Sequence, residues 1–309
     1  EFMSKLFLLL PFLLVVFSHA NTSGTPVEPI PEVTVVEPTS ENIFLPLREA
    51  ANADLQSALE QELLANPTWR SLIRNKRMSV SLVDLRSDGE PRLAHLNGDH
   101  MMYAASLPKI AVLLASVDAL EKGELIETQA IRQDMRLMIS RSNNAATTRM
   151  IDRLGFQKIE EVMLDPAYRL YDPNYGGGLW VGKRYGSGGG RHPDPMKGIS
   201  HAATSNQVVR FYYLMAQQRL VTPERCDQMM EMMVDPELHH KFVNTLDRVA
   251  PQAKVYRKSG SWRNYHSDSA MVVGPDRNYI ITALIEDENG ETICRELILA
   301  IERALGNNV

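Results

Sequence analysis

Ser106-Leu107-Pro108-Lys109-Ile110-Ala111-Val112-Leu113-Leu114-Ala115-Ser116-Val117 is the stretch from which the fold is read. Ile110, Leu113, Leu114 and Val117 recur at i, i+3, i+4 and i+7, the spacing of one helix face, so a buried helix is expected that stops at Gly123. Pro108 falls in its first turn, where a missing N–H leaves no bond unmade. Residues three apart on a helix share a face, so the Lys109 amine can approach the Ser106 hydroxyl. A serine hydroxyl is a poor nucleophile until a neighbour takes its proton. A lysine can take it when burial or a second cation lowers its pKa.

Upstream of this helix, residues 78 to 86 alternate and are rich in β-formers, and Ser87-Asp88-Gly89 supplies a turn, so a hairpin is expected. Before it, Leu55, Leu59 and Leu63 mark one face of a first helix that Asn66-Pro67 ends. Downstream, helical segments are expected near 128–140, 144–154, 157–164, 205–218 and 223–233. Between Asp165 and Ser200 runs a Gly-rich, aromatic stretch whose length inside a folded body suggests a functional loop. The β pattern then returns in Lys254–Trp262, Ser267–Val273 and Tyr279–Ile285, and a closing helix puts Cys294, Leu297, Ile298, Ile301 and Leu305 on one face. The order implies an α/β (α+β) chain of two domains: an antiparallel sheet from residues 47–105 and 253–309, flanked by the N- and C-terminal helices, with an all-α domain, 106–252, inserted between them.

The ends and the composition narrow the class. Glu1-Phe2 precedes Met3 and reads as a cloning scar; Lys5, the apolar run Leu6–Phe17 and Ser18-His19-Ala20 together read as an export signal over residues 1–20, cleaved after Ala20. The run is short for a membrane span, no later stretch is long enough, and no cysteine stands near its end for lipidation. Secretion to a periplasmic or extracellular space is therefore expected. Residues 21–46, with their prolines and no helical period, read as an extended linker. The whole chain has 309 residues, 44% of them apolar, and a net charge of -5, which excludes wholesale disorder and argues against a nucleic-acid partner. Cys226 and Cys294 both fall on apolar faces, where core packing is expected, though a disulfide stays open. The histidines lack the companions of a zinc pattern, and no cofactor is implied. Gly198-Ile199-Ser200-His201-Ala202 has part of a nucleophile-elbow pattern but no βαβ unit leading into it.

A serine three places before a lysine arises about once by chance in a chain of this size. Here two partners follow it in order: Ser142-Asn143-Asn144 at a helix junction and Lys258-Ser259-Gly260 on an expected strand. This ordered set resembles the Ser-x-x-Lys, Ser-Asp-Asn and Lys-Thr-Gly motifs of class A β-lactamases and penicillin-binding proteins, and the likeness covers the body from about residue 47 to the C-terminus. The family's sheet domain and all-α domain, with the site between them, agree with the element order. The resemblance implies Ser106 as the acyl-accepting nucleophile, Lys109 as its base and Ser142 as a proton relay to the leaving nitrogen. It implies that Asn144 holds a substrate amide, that Lys258 and Ser259 receive a substrate carboxylate, and that Gly260 lets the strand come close. The N–H groups of Ser106 and Ser261 would form the oxyanion hole.

Three departures bear on the reaction. The middle motif carries Asn143 in place of Asp, the interval from Ser106 to Ser142 is short for class A, and no glutamate stands where the deacylation base is expected. That segment reads Arg169-Leu170-Tyr171-Asp172-Pro173-Asn174. Asp172 is either a shorter substitute base or the start of a turn before proline. Tyr175 to Arg191 would then form a different lid. The reading favoured by the intact set is a secreted serine hydrolase that forms an acyl-enzyme on Ser106 with a β-lactam and releases it slowly. Its alternatives are a D-Ala-D-Ala-type peptidase acting on cell-wall peptide and trapped by β-lactams, and a non-catalytic binding module. Oligomeric state is left open.

Overall fold

The computed structural model describes residues 44–86 and 90–308. The export signal, most of the linker and the turn Ser87-Asp88-Gly89 lie outside them. After a short 3-10 turn at Leu47–Glu49 come α1 (Ala53–Ala65), α2 (Pro67–Arg74), β1 (Met78–Asp84), β2 (Arg92–Leu96), β3 (Met102–Tyr103) and α3 (Lys109–Glu121). Then follow α4 (Gln129–Ser140), α5 (Asn144–Leu154), α6 (Phe156–Leu164), the two-residue strands β4 (Tyr171–Asp172), β5 (Gly177–Gly178) and β6 (Trp180–Val181), and β7 (His201–Ala203). The chain closes with α7 (Ser205–Ala216), α8 (Pro223–Met233), α9 (Phe242–Val249), β8 (Lys254–Trp262), β9 (Tyr265–Gly274), β10 (Arg277–Glu286) and α10 (Gly290–Ala304).

The main sheet has the order β2-β1-β10-β9-β8, and every pairing in it is antiparallel. It is built from both ends of the chain, and β8 forms an edge. The alternation of β1 and β10 decides how it packs. Met78, Val80 and Leu82 with Tyr279, Ile281, Ala283 and Ile285 join the apolar cluster of α1 and α10, which holds Leu55, Leu59, Leu63, Leu297 and Ile301. Val83, Ile280 and Leu284 join the other cluster, with α3 and α7. Ser79 and Ser81 are buried, and their hydroxyls lie 2.6 and 2.7 Å from Ser205 Oγ at the start of α7. A buried hydroxyl without such a partner would destabilise the sheet, so these serines specify where α7 docks.

The helix α3 is buried from Lys109 to Leu120, so the expected helix is the centre of the helical part rather than a surface element. Asn66 ends α1 and opens α2, its Oδ1 accepting from Thr68 and Trp69 N–H at 3.0 and 3.2 Å with Pro67 in the first turn. The sequence pattern missed α9, whose Phe242 and Leu246 belong to the cluster of α1 and α10. The stretch packed on the sheet therefore begins before residue 253, and the helical insertion is shorter than 106–252. The reason is α9's length: eight residues are too few for a periodic signal to rise above the surrounding loop.

Residues 165–200 are a loop organised by a buried carboxylate. Asp194 accepts hydrogen bonds from the Tyr171 hydroxyl (2.9 Å) and from the backbone N–H of Met196, Lys197 and Ile199. Short pairings β4–β5 and β6–β7 fix its course. Cys226 and Cys294 are both free and buried, in different apolar clusters, as core packing required. Among the described residues no helix is long and apolar enough to cross a membrane.

Candidate active site

Ser106 stands in the turn before α3, half-buried, with Lys109 at the helix start and wholly buried. Ala105, just before the serine, has φ 51°, and Ser142 at the α4–α5 junction has φ 53°. Such left-handed non-glycine residues cost about 1–3 kcal/mol each and persist where the surroundings hold them. Here the holding contacts are visible. Tyr185 Oη donates to the Ala105 carbonyl at 3.1 Å, and Lys109 Nζ donates to the Ser142 carbonyl at 2.6 Å.

Lys109 Nζ also lies 2.8 Å from Asn144 Oδ1 and 3.3 Å from Ser142 Oγ, and Lys258 Nζ lies 2.9 Å from the same Ser142 hydroxyl. The two motif lysines are thus linked through one hydroxyl. Burial lowers the Lys109 pKa from 10.5 to about 7. A neutral amine has two N–H donors, and the Ser142 carbonyl and Asn144 Oδ1 take both, leaving the lone pair to receive a proton. Lys258 is held well below its ordinary pKa, chiefly by burial and then by the Lys109 charge. Among the described residues no hydrogen bond joins Ser106 Oγ to Lys109 Nζ.

The departure at Asn143 has a structural account. Its Oδ1 accepts from Ala146 N–H at 2.8 Å and caps α5, so the middle residue of the motif serves the helix. Gly260 of β8 lies against the Ser106 backbone. A Cβ there would come within 2.5 Å of both Ser106 N and the Ala104 carbonyl oxygen, so only glycine lets the strand edge approach this closely. Ser259 is buried, while Ser261 is exposed on the cleft.

The cleft has a volume of about 620 Å3, and Ser106, Asn144 and Ser261 open into it. Lys183, Arg184, Tyr185 and Arg191 of the loop 165–200 line it as well, together with the aromatics Tyr103, Trp262 and Tyr265 of the strands and their turns. No carboxylate is among the described residues that line it. Tyr185 lies over Lys109, with Nζ 4.6 Å from the ring centroid, and stacks on His201 at 4.1 Å. Burial, with Lys109 and Lys183 adding to it, lowers the His201 pKa to about 4, which makes it a weak base at neutral pH. Ser200 and His201 line the cleft at the start of β7; Ser200 precedes the strand and does not sit at the β7–α7 turn, where a nucleophile elbow would place its serine.

Asp172 is not brought to this cleft. It lines a separate cavity with Arg169, Tyr175 and Arg210, and its Oδ1 accepts from Asn174 N–H at 2.9 Å. It begins a turn before Pro173, the second of its two sequence readings. The residues that the motifs did not reveal are aromatic or cationic ones with no fixed spacing: Tyr103, Tyr185, Trp262, Tyr265 and the buried Lys241 near Gly260. Only Tyr185 fell in a segment singled out by composition.

A family model described as the beta-lactamase enzyme family matches residues 127–309, more than half of the chain. The chain belongs to that family. The match includes Ser142, Asn144 and Lys258 and begins after Ser106 and Lys109. Among solved structures, the β-lactamase from Sphaerobacter thermophilus DSM 20745 is similar with a TM-score of 0.60 at 18% identity, over 81% of this chain and 95% of that one. A class A β-lactamase representative from Bacteroides cellulosilyticus DSM 14838 gives 0.60 at 17% identity, over 82% and 99%. A mutant of PBP-A, solved as an acyl-enzyme complex with penicillin G, gives 0.61 at 18% identity, over 83% and 97%. At these identities the likeness is one of fold, the serine β-lactamase and penicillin-binding protein fold. No curated protein matches the chain.

Proposed function

We propose that this member of the β-lactamase family is a serine hydrolase that forms an acyl-enzyme on Ser106 with β-lactams and releases it slowly. The observation that carries the reading is the hydrogen-bonded set Lys258–Ser142–Lys109–Asn144 beside Ser106, with Lys109 poised near pH 7. Lys109 takes the Ser106 proton as Oγ bonds to the substrate carbonyl carbon. The negative charge that develops on the carbonyl oxygen is met by the N–H groups of Ser106 and Ser261. The C–N bond then breaks, Ser142 passes its proton to the leaving nitrogen and Lys109 restores it, so the product is a Ser106 ester whose ring-opened amine stays attached to the acyl group. Lys258 donates to the Ser142 hydroxyl, and with Ser259 it is the expected receiver of a substrate carboxylate.

Hydrolysis of the ester needs a water and a base to deprotonate it. The described residues of the cleft lining include no carboxylate for this, which supports slow release. The same observation favours a second reading, a peptidase of cell-wall peptide stems for which a β-lactam is a trap. Export by residues 1–20 to a periplasmic or extracellular space accords with either substrate and is part of the proposal; the mature chain is expected to begin at Asn21.

Intact-mass spectrometry after mixing with penicillin tests the reading. An adduct of penicillin mass on the wild type, absent from Ser106→Ala, is the expected result, and its decay over time gives the release rate. No adduct together with no penicillin hydrolysis would overturn the proposal. An adduct that persists while a D-Ala-D-Ala peptide is cleaved would select the second reading.

A further inference from the structure

Lys241 has no place in the three motifs, yet it is among the most buried cations of the molecule. It stands at the start of α9 with φ 54°, and its side chain is wholly shielded from solvent. Its Nζ donates to the Gly260 carbonyl at 2.5 Å, to Ser261 Oγ at 2.8 Å and to the Ser267 carbonyl at 3.1 Å. Three acceptors match the three N–H groups of an ammonium, whereas a neutral amine would leave one unserved. The backbone around it is fixed as well. Asp268 Oδ2 accepts from the next residue's N–H, that of Phe242, at 3.1 Å, and the same carboxylate pairs with buried Arg257 at 2.7 Å.

The place where Lys241 bonds gives it a consequence for catalysis. Gly260 C=O and Ser261 N–H belong to one peptide unit. In a planar trans peptide they point in opposite directions. With the carbonyl end turned to Lys241, the N–H end points the other way, toward the free edge of β8, on the cleft that Ser261 lines. Hydrogen bonds in a chain polarise one another, and a charged donor on the carbonyl strengthens the donor at the far end.

We propose that Lys241 is a positioning residue for acyl transfer: by holding the Gly260 carbonyl and the Ser261 hydroxyl from behind the strand, it aims and polarises the Ser261 N–H as an oxyanion donor. The proposal rests on the reading of Ser106 as the acylated serine. Lys241 touches no substrate; it acts through one peptide bond.

The test uses penicillin labelled with 13C at its β-lactam carbonyl and isotope-edited infrared spectra of the acylated full chain. In Lys241→Met the ester carbonyl band moves to higher wavenumber, because its hydrogen bond from Ser261 is weaker. Adduct formation slows about tenfold, short of the 100-fold or more expected when an oxyanion donor is deleted outright. An adduct whose band and rate match the wild type overturns the proposal. If the wild type itself forms no adduct, the reading of Ser106 fails, and the unacylated protein still decides about Lys241. The Gly260 carbonyl 13C resonance of the wild type is then expected downfield of the other strand glycines, with a coupling to the Lys241 amine nitrogen. A Gly260 resonance at the ordinary strand position overturns the proposal, and this needs no variant, so it also covers a Lys241→Met chain that does not fold.

Discussion

The two walls of the cleft are built on different principles. One, from α3, the α4–α5 junction and β8, contains two fully buried lysines that share a hydroxyl, a strained serine and a glycine in contact with the Ser106 backbone. The other, from residues 165–200, offers Lys183, Arg184 and Arg191 and an aromatic stack, with no carboxylate on the cleft. On the proposed function, forming an acyl-enzyme and hydrolysing it would fall to separate regions, and among the described residues only the first holds an amine lowered toward neutral pH with no carboxylate opposite it. Changes to the first wall should act on adduct formation, and changes to the second on access and lifetime.

The largest effect is expected from Lys109→Met, which removes the base but keeps the buried volume. Adduct formation with penicillin should fall by about 100- to 10,000-fold, the usual worth of a general base. In the wild type the rate should rise through about pH 7 and level off above it, because the amine must be neutral to accept a proton. Stability has the same sign. The folded pKa of about 7 lies below the ordinary 10.5, so between these values the unfolded chain holds an extra proton, and Lys109's contribution weakens as the pH falls from 10.5 toward 7. Lys109→Met should lose that dependence in denaturant titrations. A flat pH–rate profile in the wild type would break the assignment of Lys109 as base.

Gly260→Ala comes next. The added methyl meets Ser106 N and the Ala104 carbonyl at 2.5 Å, so either β8 or the nucleophile turn must move by several tenths of an ångström. Displacements near 1 Å cost about 100-fold in rate. The variant should therefore fold yet acylate about 100 times more slowly, and wild-type acylation kinetics in a folded variant would show that the close approach is packing alone.

On the second wall, Tyr185→Phe keeps the ring over Lys109 and deletes the hydrogen bond to Ala105. A hydrogen bond of this kind is worth about 1 kcal/mol, so acylation should fall by no more than about tenfold, with a matching loss in thermal stability. A large rise in release rate would show instead that the hydroxyl, not the missing carboxylate, keeps the ester alive.

How far each wall could be read in advance follows the same division. The i, i+3, i+4, i+7 pattern after Pro108 and the alternation of β8 to β10 extend over enough residues for periodicity to show, and the three motifs sit on those elements. Hence Ser106, Lys109, Ser142, Asn144 and Gly260 are legible in the sequence as motif residues, and the family resemblance implies their roles. Lys241 is a single lysine before a two-turn helix, and no local pattern separates it from a surface lysine. Tyr185 meets Lys109 across 76 positions of chain, through a loop whose course is set by the buried Asp194 rather than by any repeat. The helix α9 is illegible for a related reason: it is recognised by what it packs against, and packing partners distant in sequence leave no periodic trace.

The smallest effect is expected where the sequence offered the sharpest alternative. Asp172 occupies the segment in which the family resemblance places a deacylating glutamate, and a carboxylate on the cleft there would join the two walls into one hydrolytic site. Its Oδ1 instead accepts from Asn174 N–H in a cavity that Ser106 does not share. Asn in place of Asp has the same shape and keeps an oxygen that accepts this bond, so Asp172→Asn should alter stability by less than about 0.5 kcal/mol. Adduct lifetime, followed by intact mass, should be unchanged, since the base lost was never aimed at the ester. A lifetime lengthened tenfold or more would mean that the loop brings Asp172 to the acylated serine, and the separation of the two walls would fall with it.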